Sequence, residues 1–310
     1  MHTPHSNIES GSFPHSGSDA ITPPQRLTVA TFNIRYGVGS FLITGSLLRR
    51  MGISRPSRRH TLIERHLNQA AKALRGAFSM PTVDILALQE ADTGTLRAAR
   101  HRIAPELAAR LSMHYAFTGM NTPRDAVEQA KKWYLDFEEH IASDDTGDTG
   151  VALLSKLPIN ETARIDLPWS TCPWRPRLGI YGKFVVGSTP LHIFNSHIDT
   201  HAATDAQLSQ HEAILTRAET FSARGEPTIL VGDFNTLTRE SAKDVRRFLE
   251  ARGYTTPFVT GTTTWRAGVI RLHTDWIFTR NLNVTRHGVR RLPSVSDHFP
   301  VWIEIDTSRF

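Results

Sequence analysis

Across the 310 residues, acidic, amide and imidazole side chains collect where short apolar runs end or begin. Asn33 follows L-T-V-A-T-F, and Glu90 closes L-A-L-Q-E. His197 and Asp199 close F-N-S-H-I-D, and Asp233 and Asn235 close I-L-V-G-D-F-N. Asp275 opens D-W-I-F, and Asp297 and His298 lie in S-D-H-F-P-V. Carboxylate and amide oxygens are hard ligands, suited to Mg²⁺ or Mn²⁺. Histidines among them can serve as base, acid or anion stabiliser. There is no serine nucleophile elbow, no Walker P-loop and no H-E-x-x-H helix. Attack by a metal-organised water is therefore the chemistry this set favours.

Such groups need rigid supports, and strand ends supply them. β-Branched and aromatic runs predict strands at Leu27–Ile34, Val83–Leu88, Gly150–Ser155, Gly179–Val186, Leu191–Ser196, Thr228–Val231, Thr274–Phe278 and Phe299–Ile305. Apolar stripes predict helices at His60–Phe78 (Ile63, Leu67, Ala70, Ala71, Leu74), Leu96–Leu111, about Asp205–Arg224, and Ser241–Arg252 closed by Gly253. Asp125–Ile141 also reads as helical. Roughly ten strands with interspersed helices point to one α/β domain of two packed sheets with outer helices.

Composition narrows the class. Hydrophobic residues make up 39%, enough for a large core, and the one cysteine, Cys172, excludes an internal disulfide and a Cys-type zinc site. Lys plus Arg number 36 against 30 Asp plus Glu, a net charge of +6 that suits an anionic partner. Arg49, Arg50, Arg55, Arg58 and Arg59 concentrate part of it in a basic excursion. The apolar runs are strand-length, so no integral membrane segment is expected. Residues 1–25 are rich in Ser, Pro, His and Gly, without a basic start or an apolar segment. They read as a disordered tail rather than a secretory signal, which places the protein in the cytoplasm. Residues 26–310 read as one catalytic domain with insertions near 38–60 and 121–147. Nothing in the sequence fixes an oligomeric state.

In order along the chain stand T-F-N, L-Q-E, G-V-A-L-L-S-K, P-R-L-G, N-S-H, G-D-F-N, D-W-I-F and S-D-H. Each is short, but eight in this order are specific, and over about residues 26–308 the chain resembles the endonuclease/exonuclease/phosphatase superfamily. That group includes pancreatic-type deoxyribonuclease, AP endonucleases, neutral sphingomyelinases, deadenylases and inositol polyphosphate 5-phosphatases. The resemblance implies an α/β fold, a four-layer sandwich of two packed mixed β-sheets flanked by helices, with the site at one edge. It also implies a divalent-metal-dependent phosphoesterase. Carried over motif by motif, Glu90 would be the principal metal ligand, with Asn33 beside it and Asp297 a further ligand. Asp233 would orient the attacking water or bind a second metal, and Asn235 would hold the phosphate. His298 would stabilise the transition state, with Asp275 fixing its tautomer. His197 would donate to a phosphate or leaving-group oxygen, and Arg177 would contact phosphate. The chain departs from the family in G-V-A, where many bacterial members have G-N-A, and in L-H-T-D-W, where R-I-D-Y is common. Neither departure removes a ligand.

Other polar residues carry blander readings. Asn195 reads as structural or as a donor behind the site, Asp199 as a loop cap or site residue in equal measure, and Arg35 as either phosphate-facing or solvated. Trp169, Trp174 and Trp265 stand beside site motifs and could wall the substrate. The leading function is a Mg²⁺-dependent phosphodiesterase acting on nucleic acid. The alternative is a phosphatase or phospholipase-type enzyme on a small or lipid phosphate ester, such as an inositol phosphate or sphingomyelin. A catalytically dead binding module is opposed by the retention of Glu90, Asp233, Asn235, Asp275, His197 and His298.

Overall fold

The computed structural model describes residues 8–13, 25–39, 56–123, 141–169, 177–292 and 294–308. In chain order the strands and helices are β1 (Ile8–Ser12), β2 (Arg26–Asn33), α1 (Pro56–Leu74), β3 (Ile85–Gln89), α2 (Ile103–Leu111), β4 (His114–Gly119) and β5 (Gly150–Ser155). Then come β6 (Glu161–Asp166), β7 (Leu178–Val186), β8 (Thr189–His197), α3 (Thr204–Phe221), β9 (Thr228–Asp233) and α4 (Arg239–Glu250). The chain finishes with β10 (Trp265–Ala267), β11 (Ile270–Leu272), β12 (Asp275–Arg280), β13 (Val284–Val289) and β14 (Val301–Asp306).

Among the described residues the strands form a seven-stranded sheet, β1-β4-β5-β3-β2-β14-β13, and a five-stranded sheet, β12-β9-β8-β7-β6, with β10-β11 a separate ribbon. Both large sheets are mixed. β2 and β3 are parallel, as are β8 and β9, and the remaining pairs are antiparallel. A parallel pair needs a crossover, and α1 and α3 supply it.

Alternation along each strand builds three cores. Val29, Ile85 and Leu153 meet Ile180, Ile193, Ile229 and Ile277 between the sheets. Their neighbours Ala30, Leu86 and Leu154 face the other way and pack against Ile63 and Leu67 of α1 and Leu107 of α2. Tyr181, Phe194, Leu230 and Phe278 face Ile214 and Leu215 of α3 and Val245 of α4. Helix, sheet, sheet and helix are the four layers the sequence implied. Truncating a fully buried residue such as Leu153 to Ala would cost ~2–5 kcal/mol.

Several boundaries differ from expectation. The tail is not wholly disordered: Ile8–Ser12 pairs with β4, Ile8 opposite Thr118 and Ser12 opposite His114. It is pinned by Tyr115 donating to Glu9 Oε1 at 2.7 Å and by Arg102 Nη2 at 2.5 Å from Glu9 Oε2. Backbone pairing and one well-placed carboxylate outweigh its poor strand composition. The second helix starts at Ile103 rather than Leu96, because left-handed residues Ala99 and Arg100 break any helical run. The first helix starts at Pro56 and stops at Leu74, before Gly76 at φ 97°. Residues 40–55 of the basic excursion, and the helix expected over Asp125–Ile141 up to residue 140, lie outside the described residues.

Between the sheets, close to one edge, the apolar core is interrupted by a buried polar bridge. Gln89 of the large sheet donates to Asn195 Oδ1 of the small sheet at 2.6 Å. Asn195 Nδ2 donates back to the carbonyls of Leu88 and Ala152, both at 2.9 Å. Thr31 Oγ1 accepts from Gln89 at 3.0 Å. Asn195 is thus structural, as one of its readings had it. Replacing it by Leu strands the Gln89 amide in an enclosed interface. Urea unfolding should show a loss of about 2–3 kcal/mol, with an unchanged dependence on denaturant.

Candidate active site

Because β2–β3 and β8–β9 run parallel, their carboxyl ends lie along one edge, where open α/β sheets bind ligands. Asn33 ends β2, Glu90 follows β3, His197 ends β8 and Asp233 ends β9. Register brings Asp275 in as well. Asp233 pairs with His197 on one side and Asp275 on the other, so the three stand abreast on adjacent strands. The two sheets meet through Asn33, whose Nδ2 donates to Asp233 Oδ2 at 2.9 Å and Glu90 Oε1 at 3.1 Å. Its Oδ1 accepts from the Arg35 backbone at 3.0 Å.

His298 reaches the same point from the loop before β14. Its Nδ1 lies 3.0 and 3.1 Å from the Asp275 oxygens, and its Nε2 lies 3.7 Å from Asp233 Oδ2. Ser296 Oγ holds that loop by donating to the Asn33 carbonyl at 2.8 Å and accepting from His298 N at 3.1 Å. Asp275 is itself fixed, by Thr274 Oγ1 on its carboxylate and Thr264 Oγ1 on its backbone N–H. Asp233, Asp275 and His298 each offer a ligand atom within 4.8 Å of the others, so these residues could also hold a cation.

The remaining expected residues are also at this edge, with partners the sequence did not foretell. Asn235, at φ 50°, accepts from its neighbourhood through Gln207 and donates Nδ2 to Ile198 O at 2.8 Å, which commits one of its two amide hydrogens. Arg177 is buried with Nη1 3.0 Å from His197 Nδ1, while its Nε and Nη2 are enclosed without a hydrogen-bond partner among the described residues. It therefore touches His197 first. Asp297 Oδ2 forms a buried ion pair with Arg35 Nη1 at 3.2 Å, so Arg35 is not solvated. Asp199 serves its own loop, accepting from His201 N at 2.8 Å. Trp265 is buried edge-on to His298 at 6.5 Å, Trp169 is exposed, and Trp174 lies outside the described residues.

Sequence reading missed the supports. Gln207 and Gln210, buried on α3, hold the loops after β8 and β9 through Asp199 and Asn235. Their one signal is two glutamines interrupting the apolar stripe. Ser296 was visible as a serine two residues before a histidine, the spacing of a side-chain turn.

Charge in this enclosed cluster is unevenly matched. Burial, then the Asp275 carboxylate, pushes Asp233 up to about 7, outweighing the His298 charge and the bonds from Asn33 and Asn235. Burial opposes the His298 charge, but Asp275, Asp233 and Asp297 overcome it and raise the imidazole to about 10. A raised histidine contributes stability that is full below its ordinary value of 6.5 and is lost as pH rises through about 10. In metal-free protein, nitrogen-15 spectra should keep His298 doubly protonated at pH 8. Asp275→Asn should bring its midpoint down toward the ordinary value.

The sequence profile described as the Endonuclease/Exonuclease/phosphatase family matches residues 30–298. No curated protein sequence matches. Solved structures share the fold. A family protein from Bacteroides thetaiotaomicron is 20% identical, with 92% of this chain and 98% of that chain covered and a TM-score of 0.58. The mannosyl-6-phosphatase of Bacteroides thetaiotaomicron is 19% identical, covering 90% and 99% at a TM-score of 0.57. The human Nocturnin catalytic domain, solved with a bound sulfate anion, is 17% identical, covering 98% of each chain at a TM-score of 0.59. With the profile spanning most of the chain and the acidic edge built from the matching motifs, this protein belongs to the endonuclease/exonuclease/phosphatase family of phosphoesterase hydrolases.

Proposed function

We propose that the chain is a Mg²⁺- or Mn²⁺-dependent phosphodiesterase that hydrolyses nucleic acid by attack of water. The observation that carries the reading is the His298–Asp275 pair standing against Asp233, with Asn33 linking Asp233 to Glu90. The donor set fits a hard dication. Glu90, Asp233 and Asp297 offer carboxylate oxygens, and Asn33, whose Nδ2 faces Glu90 and Asp233, would add its amide oxygen on turning over. Asp233, pushed up to about 7 by burial and a neighbouring carboxylate, is a group that added positive charge would relieve.

Glu90 and Asn33 would hold the cation, with Asp297 and Asp233 as further ligands. When bound, it neutralises phosphate charge and acts as a Lewis acid on the phosphoryl oxygen. Asp233 orients the attacking water and draws its proton. His298, kept charged by Asp275, donates from Nε2 to the phosphoryl oxygens as charge builds on them. His197 donates on the other side of Asp233, towards a phosphate or leaving-group oxygen. Asn235 offers its second amide hydrogen. Arg177 presents the charge of its enclosed guanidinium behind His197.

Nucleic acid is favoured by the net charge of +6 and by Arg266 and Arg271. These two stand directly opposite each other on the ribbon, whose Arg266 N–H bonds the Asp297 carbonyl. Like charges so placed repel, and an anionic backbone would relieve them. The second reading, a phosphatase or phospholipase-type enzyme on a small or lipid phosphate ester, draws support from the neighbouring fold of a mannosyl-6-phosphatase.

Three measurements follow. Glu90→Gln, or EDTA added to wild type, should abolish hydrolysis, and undiminished turnover without divalent metal would contradict the mechanism. His298→Ala should lower kcat about 100- to 1,000-fold, roughly 3–4 kcal/mol of lost transition-state stabilisation, with far-ultraviolet circular dichroism unchanged. Turnover should be compared on supercoiled plasmid, short single strands, phosphoinositide head groups, sphingomyelin and mannose 6-phosphate. Nucleic-acid cleavage weakening as salt rises supports the first reading, and salt-insensitive turnover of a small ester alone supports the second.

A further inference from the structure

Glu90 has a left-handed backbone, φ 52°, which a residue with a side chain adopts only under constraint. The constraint can be traced around a closed ring of contacts. The Glu90 carbonyl accepts from Tyr36 N at 2.9 Å, tying the turn after β3 to the turn after β2. Tyr36 and its neighbour Arg35 are also left-handed, at φ 42° and 46°. The buried Tyr36 ring carries the guanidinium of Arg97 on its face, with Cζ 4.1 Å from the centroid. Arg97 is gripped two-pronged by Asp92, Nε to Oδ2 at 2.7 Å and Nη2 to Oδ1 at 2.9 Å. Asp92 stands two residues after Glu90, which closes the ring. Thr95 Oγ1 adds a bond to Asp92 Oδ2 at 2.6 Å, and Ile103 N donates to the Asp92 carbonyl at 2.9 Å.

A fully buried ion pair is a poor stabiliser, because desolvating both charges offsets most of their attraction. Asp92 is 0% and Arg97 2% exposed, and an apolar pair of similar volume would keep the layer between α2 and the sheet filled. What an apolar pair would not supply is direction. The two-pronged bond fixes the guanidinium plane, the plane fixes the Tyr36 ring, and Tyr36 N–H fixes the Glu90 peptide.

We propose that Asp92 and Arg97 are positioning residues for metal capture, setting the height and angle at which the Glu90 carboxylate meets a divalent cation. This rests on Glu90 being a metal ligand. Neither residue touches substrate. The clamp acts through Tyr36 and the strained Glu90 backbone.

The test is Mn²⁺ binding to the full chain by titration calorimetry, with thermal unfolding of the metal-free protein in parallel. Asp92→Leu with Arg97→Met removes both charges and keeps volume. Mn²⁺ affinity should fall about 10- to 100-fold, the scale for losing a group that orients a metal ligand, while the metal-free Tm moves little. Activity should return towards wild type at saturating Mn²⁺, so that the half-activating metal concentration rises more than kcat falls. Arg97→Lys keeps the charge but not the two-pronged geometry, and should recover only part of the affinity. If the double variant does not fold, Tyr36→Leu leaves the ion pair in place and should weaken Mn²⁺ binding in the same direction. Wild-type affinity in a folded double variant, or in Tyr36→Leu, would overturn the inference. Glu90→Gln separates the two levels. Unchanged Mn²⁺ binding there would defeat the reading of Glu90, whereas binding lost there but kept in the clamp variants would defeat the clamp alone.

Discussion

Everything at this site depends on two sheets keeping one alignment. Glu90 belongs to the large sheet and Asp233 to the small one, and a single amide, Asn33, bonds to both carboxylates. An apolar interface alone would let the sheets slide, because the hydrophobic effect has no direction. The Gln89–Asn195 bridge removes that freedom one residue from Glu90 and two from His197. Asn195 bonds two carbonyls of the opposite sheet as well, so a shift in register would cost several buried hydrogen bonds at once. Parallel pairing does the rest. It makes β2 and β3 end together in one sheet and β8 and β9 in the other, Asn33 bridges the two ends, and the crossover helices it requires become the outer layers of the sandwich.

The second theme is charge. Negative groups at the edge are of two kinds. Asp92 and Asp297 have dedicated buried arginines, Arg97 and Arg35. Asp275 is matched by His298. Glu90 and Asp233 share the Asn33 amide and the His197 imidazole, the latter at 4.0 and 3.7 Å. The Asp92–Arg97 pair braces its loop, and Glu90 and Asp233, drawn together on one amide, are where a cation would gain most. The rise of Asp233 to about 7 expresses the same imbalance from the proton's side.

The strands that carry chemistry were legible because they are buried on both faces and read as largely apolar runs. Gly150–Ser155 matches to the residue. Apart from β4, which is buried between β1 and β5, the large-sheet and small-sheet strands that the sequence does not signal have the opposite character. β6 and β13 are edges with half-exposed faces, and β1 is held by its partner strand and by Glu9 rather than by its own I-E-S-G-S. At the site, the identity of Glu90, His197, Asp233, Asp275 and His298 was visible in ordered motifs. Their mutual contacts were not. Arg177, whose motif points to phosphate, stands against His197, and the Arg35 guanidinium is settled by the Asp297 carboxylate beside it. Asp92 and Arg97 gave no periodic signal, because they pair inside an irregular turn whose shape local sequence does not encode. Tertiary partners, unlike strand faces, leave no period to read.

The central claim is that a divalent cation sits on Glu90 beside Asn33 and Asp233. Anomalous diffraction from crystals soaked in Mn²⁺ tests it most directly. Wild type should show an anomalous peak bonded to the Glu90 carboxylate, lost from that position in Glu90→Gln. A peak confined to Asp275 and His298, or persisting unchanged in Glu90→Gln, would contradict it.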